Sequence, residues 1–377
     1  MLDRFKPLLW PLAFLALGGL LYRAKIQREM ADFTVYRTAA ERLLRGEPLY
    51  QPTDGHYQFK YLPVFAVVMA PFALVDREAA KAIWFALSAG LLTAFLRWSV
   101  RGLPERRRSE RVLLWLAVLF MLKFYAHELT LGQTNIMLGA LLMGGLLATQ
   151  VDSPHAAGVL IGLATFVKPY ALLFVPWLAF SYGAAVALTT LGVIAAGLLL
   201  PAVLYGWTGN INLLVAWFET VTATTEGNLL GADNVSLAAM WAKWLGIGPS
   251  ATALATLSTG ALLGLVAAIW VRRRSVDNPD YLEWALLMLI VPLLSPQGWD
   301  YVLLLGTPAV VCLMDRWPEM TRAWRVATLA ALALMGLTIF DLLGRALYGR
   351  LMAWSLVTVA ALGVALALAR LRWSKLA

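Results

Sequence analysis

Long apolar runs recur along the chain and are separated by short polar or charged stretches. Ten of these runs approach the about 20 residues that an α-helix needs to cross a bilayer. The runs are 7–22, 79–96, 112–126, 135–150, 184–205, 251–271, 281–297, 300–315, 326–344 and 351–369. The pattern predicts an all-α, polytopic integral membrane protein, in which residues 206–250 form a long polar loop.

Two further apolar stretches are interrupted by proline. Residues 62–75 are short and contain Pro63 and Pro71, so we expect a helix that dips into the membrane without crossing it. Residues 157–180 are interrupted at Lys168-Pro169, because proline removes a backbone donor and breaks the helical ladder. This stretch is predicted to form a hairpin of two short helices, which brings the expectation to about 10–13 membrane helices.

Composition supports the membrane assignment. Of the 377 residues, 60% are hydrophobic and 14% are charged, whereas soluble domains carry about 25% charged residues. Soluble and disordered chains are therefore excluded. The single cysteine excludes an internal disulfide, and no histidine–cysteine spacing typical of zinc occurs. The net charge is +9, and the basic residues that produce it lie between the apolar runs. This distribution is typical of the loops of a membrane protein rather than of a nucleic-acid-binding protein.

The basic residues predict an orientation. Four clusters follow apolar runs, at 97–111, 272–274, 316–325 and 370–375. With the N-terminal Arg4 and Lys6 inside, all four clusters fall on the cytoplasmic side, as the positive-inside rule requires. The seven Lys and Arg of residues 23–60 favour the opposite orientation locally.

The polar segments then collect on the extracytoplasmic side. They are 24–61, 127–134, the tip at Lys168, 206–250 and 295–300. We expect the functional site there. Neither a phosphate-binding loop nor a dinucleotide fingerprint occurs in them, so an activated donor would have to arrive attached to a lipid.

An amphipathic helix is predicted in the first of these segments. Phe33, Tyr36, Ala40, Leu43 and Leu44 recur at helical spacing, with charged residues on the other face. Such a helix lies in the membrane interface. The aspartate at position 32, just before this helix, has two interpretations: a helix N-cap, or a general base that takes the proton of an acceptor hydroxyl.

Other polar side chains also have two interpretations. Glu128, Gln133 and Asn135 either solvate a turn and cap the next helix or bind sugar hydroxyls. Lys168 lies inside an apolar run, where a lysine costs about 2.5–3.5 kcal/mol at the bilayer centre. It either binds a phosphate group or extends its ammonium to the interface. Asn234 can cap the following helix, and Asp300 is either a helix cap or a site residue.

These segments together resemble glycosyltransferase family 87, membrane enzymes of the C-type superfamily that include polyprenyl-phosphate-mannose-dependent α-1,2-mannosyltransferases of actinobacteria. The similarity covers residues 25–315, and its elements occur in the family's order. They are Asp32-Phe33 with Val35-Tyr36, Leu49-Tyr50, Phe59–Pro63, Gly132–Asn135, Lys168–Tyr170, Asn234–Leu237, and Ser295-Pro296 with Trp299. This chain departs from the family pattern just after Trp299, where members often carry a histidine and this chain has Asp300 and Tyr301.

The resemblance implies a single transmembrane glycosyltransferase domain over residues 1–377, with the C-type fold. Residues 24–78 would form an extracytoplasmic first loop with interfacial helices, and 316–377 would form C-terminal helices without a motif. The implied enzyme moves a hexose, mannose by the resemblance, from a polyprenyl phosphate to a lipid or glycan hydroxyl. Transfer would invert the anomeric carbon on the outer face of a bacterial inner membrane, among membrane lipids.

The resemblance also implies roles for individual residues. Asp32 would be the catalytic base, and Lys168 would bind the donor phosphate, where we expect Arg37 and Lys60 to assist it. Residues expected to bind sugar or acceptor are Glu128, Gln133, Asn135, Tyr170, Asn234, Trp299 and Asp300. No metal, cofactor or nucleic acid is expected. A transporter or flippase of a lipid-linked or small polar substrate is the alternative, since interrupted helices with polar residues also suit transport.

Overall fold

Every regular element in the described part of the chain is a helix, which confirms the all-α prediction. The structure is a computed structural model that describes residues 18–20 and 22–374. Most of the predicted helix 7–22 therefore lies outside the described residues, as do the basic residues Arg4, Lys6 and Lys375.

The α-helices are α1 (Ala31–Leu44), α2 (Pro63–Ala73), α3 (Arg77–Arg101), α4 (Glu110–Leu131), α5 (Asn135–Gln150), α6 (Pro154–Val167), α7 (Phe174–Tyr182), α8 (Ala184–Leu199), α9 (Ala202–Leu229), α10 (Leu237–Leu245), α11 (Pro249–Val271), α12 (Asp280–Leu294), α13 (Thr307–Asp315), α14 (Arg322–Leu337), α15 (Phe340–Ala353) and α16 (Leu356–Ser374).

Several helices are long and apolar enough to cross a membrane. Within the described residues α3, α4, α11 and α16 meet this condition singly. The pairs α8–α9 and α14–α15 meet it together, but they are bent by 94° and 99°. The polytopic membrane fold is confirmed, whereas the larger helix number stays a prediction because α2, α5, α6 and the 169–182 segment are shorter apolar helices.

Several sequence predictions about helix continuity are wrong, including the run 184–205, which breaks between Leu199 and Ala202. Residues 206–250 are not a long loop, because α9 extends to Leu229 and α10 follows. The predicted run 300–315 begins as a 3-10 helix, Asp300–Gly306, and becomes α-helical at Thr307. The run 326–344 breaks after α14, where the carbonyl of Thr338 accepts a hydrogen bond of 3.0 Å from the Lys123 ammonium.

The hairpin predicted for residues 157–180 is confirmed. Near the start of both helices, a Cβ on Gly158 of α6 would lie 2.9 Å from the carbonyl oxygen of Val186 in α8. Near their ends, the Phe166 ring of α6 faces Gly197 of α8. Helices α6 and α8 therefore run in parallel. The chain must therefore return through α7. Lys168, in an extended conformation before Pro169, stands at the turn of this hairpin.

Two short helices, α1 and α2, precede the first long helix. The amphipathic prediction for α1 is confirmed, since Phe33, Tyr36, Ala39, Ala40 and Leu43 are buried. They pack against α2, which has 11 residues. At 1.5 Å per residue this helix is roughly half the thickness of the hydrocarbon core, so it cannot cross it.

The basic loops meet at one end of the helix bundle. Asp315 accepts hydrogen bonds from the backbone amides of Arg107 and Arg108 at 2.9 and 2.8 Å. The Arg372 guanidinium donates to Glu283 at 2.8 Å. At the opposite end, the Ser295 hydroxyl donates to the Tyr170 hydroxyl at 3.0 Å. We call these ends the arginine-rich end and the cavity end.

Candidate active site

A cavity of about 560 Å³ opens at the cavity end, between α1, the 56–61 loop, the start of the 133–135 turn, the 167–170 hairpin tip, α9 and residues 295–301. Its size is typical of small-molecule sites. Six of the predicted site residues line it, and they come from distant parts of the chain. They are Asp32, Lys60, Gln133, Lys168, Tyr170 and Trp299.

Asp32 projects from the first turn of α1. The helix begins at Ala31 after Met30, which has a left-handed conformation, and no side chain caps it. The N-cap interpretation of Asp32 is therefore wrong. Its carboxylate instead accepts a hydrogen bond of 2.8 Å from the side-chain amide of Gln133. Burial raises the pKa of the Asp32 carboxyl above its usual value, against the opposing effects of this hydrogen bond and of the Lys168 charge.

The orientation of the Gln133 amide is set by its neighbours. Its oxygen lies 3.1 Å from the Tyr36 hydroxyl and 3.2 Å from the Tyr61 hydroxyl, both of which can donate to it. With the oxygen turned to these hydroxyls, the NH2 group must face Asp32. The preceding Gly132 has φ +70°, and a Cβ there would lie 2.9 Å from Phe33 Cβ, so a glycine is required to bring the turn against α1.

Lys168 contributes a cation to the same cavity. Its ammonium lies 5.8 Å from the centre of the Tyr61 ring and 6.0 Å from that of Tyr170, within the range of cation–π attraction. No carboxylate among the described residues forms an ion pair with it at 4.0 Å or less. Lys60 is a second cation on the cavity wall, and burial lowers the pKa of its ammonium against the attraction of Asp32. The cavity lining therefore includes two carboxylates, Asp32 and Asp233, and two ammonium groups, Lys60 and Lys168.

Arg37 does not line this cavity. Its guanidinium donates to the carbonyl oxygens of Phe72 and Val75 at 3.2 and 3.1 Å and pairs with Glu41. These contacts attach α1 to the end of α2, so Arg37 is already occupied where the structure places it.

Glu128 and Asn135 are fully buried and also lie outside the cavity lining. The two Glu128 oxygens accept hydrogen bonds from the Asn135 amide at 2.8 Å and from the Ile136 backbone N–H at 3.0 Å. A carboxylate at a helix N-terminus satisfies free N–H groups and the helix dipole. These hydrogen bonds agree with the interpretation that Glu128 caps the following helix, α5, and they hold the turn that contains Gln133 in place.

Asn234 joins two loops behind the cavity. Its amide donates to the carbonyl oxygens of Asn228 and Pro296 at 3.2 and 2.7 Å, and its oxygen accepts from the Ser236 backbone N–H at 3.0 Å. It also forms the isolated β-bridge with Trp299. The cap of α10 is Ser236, not Asn234.

Asp300 is buried behind His127, a cavity residue that was not among the predicted site residues. His127 lines the cavity, and its Nδ1 lies 3.5 Å from an Asp300 carboxylate oxygen. The other Asp300 oxygen lies 3.1 Å from the Lys123 ammonium. His127 belongs to the same polar sequence segment as Glu128 and Gln133, at the end of α4, so this clustering was visible in the sequence, but the pairing of His127 with Asp300 was not.

The residues that the structure describes include no group of three or more His, Cys, Asp or Glu side chains placed to hold a metal ion.

Comparison with known proteins identifies the family. The sequence pattern of glycosyltransferase family 87 matches residues 59–296, more than half of the chain. A polyprenol-phosphate-mannose-dependent alpha-(1-2)-phosphatidylinositol mannoside mannosyltransferase of Mycobacterium tuberculosis is 28% identical over 363 aligned positions, which cover 89% of this chain and 82% of that relative. No solved structure matches this chain. The family pattern begins after Asp32 but includes Lys60, Gln133, Lys168 and the 295–296 segment. This polytopic membrane protein therefore belongs to glycosyltransferase family 87 and is a glycosyltransferase.

Proposed function

We propose that this enzyme transfers a mannosyl group from a polyprenyl-phosphate donor to a hydroxyl of a lipid or glycan acceptor. The observation that carries the proposal is the presence of Asp32 and Lys168 on the walls of one cavity. Group transfer from a phosphate requires a base near the attacking hydroxyl and a cation near the leaving group. The name of the M. tuberculosis relative, which specifies a polyprenol-phosphate-mannose donor, supports this donor class.

The proposed reaction is a single displacement. The acceptor oxygen attacks the anomeric carbon, and its proton passes to the Asp32 carboxylate. The bond between the anomeric carbon and the phosphate oxygen breaks with its electron pair, and the polyprenyl phosphate leaves beside the Lys168 ammonium. Attack opposite the leaving group inverts the anomeric carbon. His127 and Lys60, which also line the cavity wall, can donate further hydrogen bonds to the phosphate oxygens.

A reconstituted assay tests this function. Purified protein in liposomes receives synthetic polyprenyl phosphate mannose and, as the probe acceptor, a phosphatidylinositol mannoside. We expect one mannose to be added, with release of polyprenyl phosphate and with the anomeric configuration opposite to that of the donor. A product that retains the configuration contradicts direct displacement. Movement of labelled donor across the bilayer without a new glycosidic bond supports the flippase alternative.

We further propose that the cavity opens on the extracytoplasmic face of the bacterial inner membrane. The collection of basic loops at the opposite end of the bundle supports this orientation, because such loops remain in the cytoplasm. Single cysteines at exposed positions near each end test it. A membrane-impermeant maleimide should label Thr53→Cys in intact spheroplasts and Glu105→Cys only after lysis. The reverse pattern contradicts the orientation.

A further inference from the structure

A second cavity, of about 400 Å³, lies against the same helix that carries Asp32. We call it the α1 groove and define it by Glu29, Thr34, Thr38, Arg42, Asp54 and Arg77. None of the six lines the first cavity. The two cavities nevertheless meet, because Ala31, Val35 and Tyr57 line both. A molecule that extends along α1 can therefore occupy the groove and reach the first cavity.

Helix α1 presents a different face to each cavity. Asp32 and Tyr36 line the first cavity, and Thr34, Thr38 and Arg42 line the groove. Residues four apart lie on the same helix face, which explains both sets. The base therefore stands on the first turn between the two spaces, next to the shared Ala31. Neither of the cavity cations, Lys60 and Lys168, lines the groove.

The groove has a rigid polar wall. The Arg42 guanidinium donates two hydrogen bonds to the Asp54 carboxylate, at 2.6 and 2.7 Å, in the bidentate arrangement that fixes both side chains. The Thr38 hydroxyl and the ends of Glu29 and Arg77 form no hydrogen bond or ion pair with another described residue. The wall thus offers both donors and acceptors, as a ligand with many hydroxyl groups requires.

Aromatic side chains complete the groove. Tyr57 is exposed at the junction with the first cavity, and the Phe59 ring is buried behind the polar wall. Hydroxyl, carboxylate and guanidinium groups beside aromatic faces suit a saccharide, which has polar edges and apolar C–H faces. A prenyl chain would leave the charged groups of this wall without partners, which is costly.

We propose that the α1 groove binds the glycan head group of the acceptor. This inference rests on the proposed function and adds to it the direction from which each substrate arrives. In an in-line displacement the attacking hydroxyl approaches from the side opposite the leaving phosphate. The phosphate belongs beside Lys168 and Lys60, so the acceptor enters across Ala31 and Val35 from the groove. Asp32 then meets the acceptor hydroxyl at the boundary between the two spaces.

Two groove variants and two matched controls test the proposal. Thr38→Trp fills the groove, and Arg77→Ala removes a cation from its rim. Thr252→Trp and Arg45→Ala make the same changes at exposed positions that line neither cavity. We expect both groove variants to raise the acceptor KM, about tenfold or more for Thr38→Trp, with the donor KM within about twofold of wild type. The controls should retain both KM values.

A binding measurement separates this proposal from the proposed function. The probe is a phosphatidylinositol mannoside added, without donor, to protein in nanodiscs, and native mass spectrometry reports its occupancy. Thr38→Trp should lower occupancy about tenfold relative to Thr252→Trp, whether or not transfer occurs. Equal occupancy in these two variants overturns the groove assignment. Groove-dependent occupancy without any mannosyl transfer by the wild type overturns the donor assignment and leaves the groove standing.

Discussion

The side-chain amide of Gln133 donates a hydrogen bond of 2.8 Å to the carboxylate of Asp32, which lies 101 positions earlier in the chain. This contact connects the amphipathic helix α1 to the turn between α4 and α5. It holds the carboxylate toward the cavity rather than toward the free N–H groups of its own helix. The orientation of the proposed base therefore depends on a turn that the helix itself does not contain.

Asp32→Asn should abolish transfer while leaving the fold intact. General-base catalysis contributes about 10²–10⁴ in rate, so we expect kcat to fall at least about 100-fold. The donor KM should change little, because the phosphate site lies at Lys168. Asp76→Asn, an exposed aspartate that caps α3 and lines neither cavity, is the control. Near-normal turnover by Asp32→Asn in the liposome assay contradicts the assignment.

Gln133→Leu should move the acid limb of the pH–rate profile to higher pH. The Gln133 hydrogen bond lowers the Asp32 pKa, which burial raises. Removing the donor therefore raises that pKa further, and the base is ionised only at higher pH. Activity at the acid end should fall more than activity at the alkaline end. Gln150→Leu, which loses a hydrogen bond to Gly102 at the arginine-rich end, should keep the wild-type profile.

Lys168→Met should weaken both donor binding and turnover. The ammonium is the cation that we place beside the leaving phosphate, and such electrostatic groups contribute about 10²–10³ in kcat. Lys168→Arg should recover part of the activity, since it keeps the charge with a different shape. Lys25→Met, an exposed lysine outside both cavities, is the matched control. Equal losses in Lys168→Met and Lys168→Arg would indicate a packing role instead.

His127 and Asp300 should act as one unit. We expect His127→Asn to reduce kcat about tenfold or more, because it removes a group that faces the cavity. Asp300→Asn should cause little further loss in that background, since it acts by orienting His127. Additive losses would mean that the two side chains act separately.

Lys123→Met provides the control for the buried ion pair. It breaks the 3.1 Å contact with Asp300 from the other side. The free energy of unfolding should fall, by about 3–5 kcal/mol for the loss of one partner of a buried pair. Because Asp300 keeps its contact with His127, kcat should fall less in Lys123→Met than in His127→Asn.

Gly298→Ala should destabilise the cavity wall. A Cβ at this position would lie 1.9 Å from the carbonyl oxygen of Pro292. The backbone would have to move, which disturbs the 2.7 Å hydrogen bond from the Val235 N–H to the Gly298 carbonyl oxygen. Overpacking of this kind costs about 1–3 kcal/mol or more. Gly264→Ala in α11 meets no atom within 4 Å and should keep or raise the melting temperature.

Local features were readable from the sequence. The amphipathic helix around Phe33 and Tyr36 was predicted because one helical face is apolar and because Gly46 ends the pattern. The hairpin at Lys168-Pro169 was predicted because proline cannot continue a helix. Each of these inferences needs only neighbouring residues and elementary backbone chemistry.

The two bent helix pairs differ in how far the sequence could predict them. The α14–α15 break has no proline, and it occurs where the Thr338 carbonyl oxygen accepts a hydrogen bond from the Lys123 ammonium of α4. The α8–α9 bend follows Leu199, within a run that apolar composition alone extends to 205. The α14–α15 break thus follows a contact that a local pattern does not contain, whereas Pro201 marks the α8–α9 bend locally.

The sequence by itself determined that the chain belongs in a membrane, that an amphipathic helix carries Asp32, and that a lysine interrupts an apolar run, because hydrophobicity and backbone breaks are local properties. Only the tertiary structure decided that Arg37 joins α1 to α2, that Glu128 caps α5, and that His127 faces the cavity before Asp300. A polar side chain binds whichever partner the fold brings within about 3 Å. Residues far apart in sequence supply those partners, so their identity emerges only when the helices have packed.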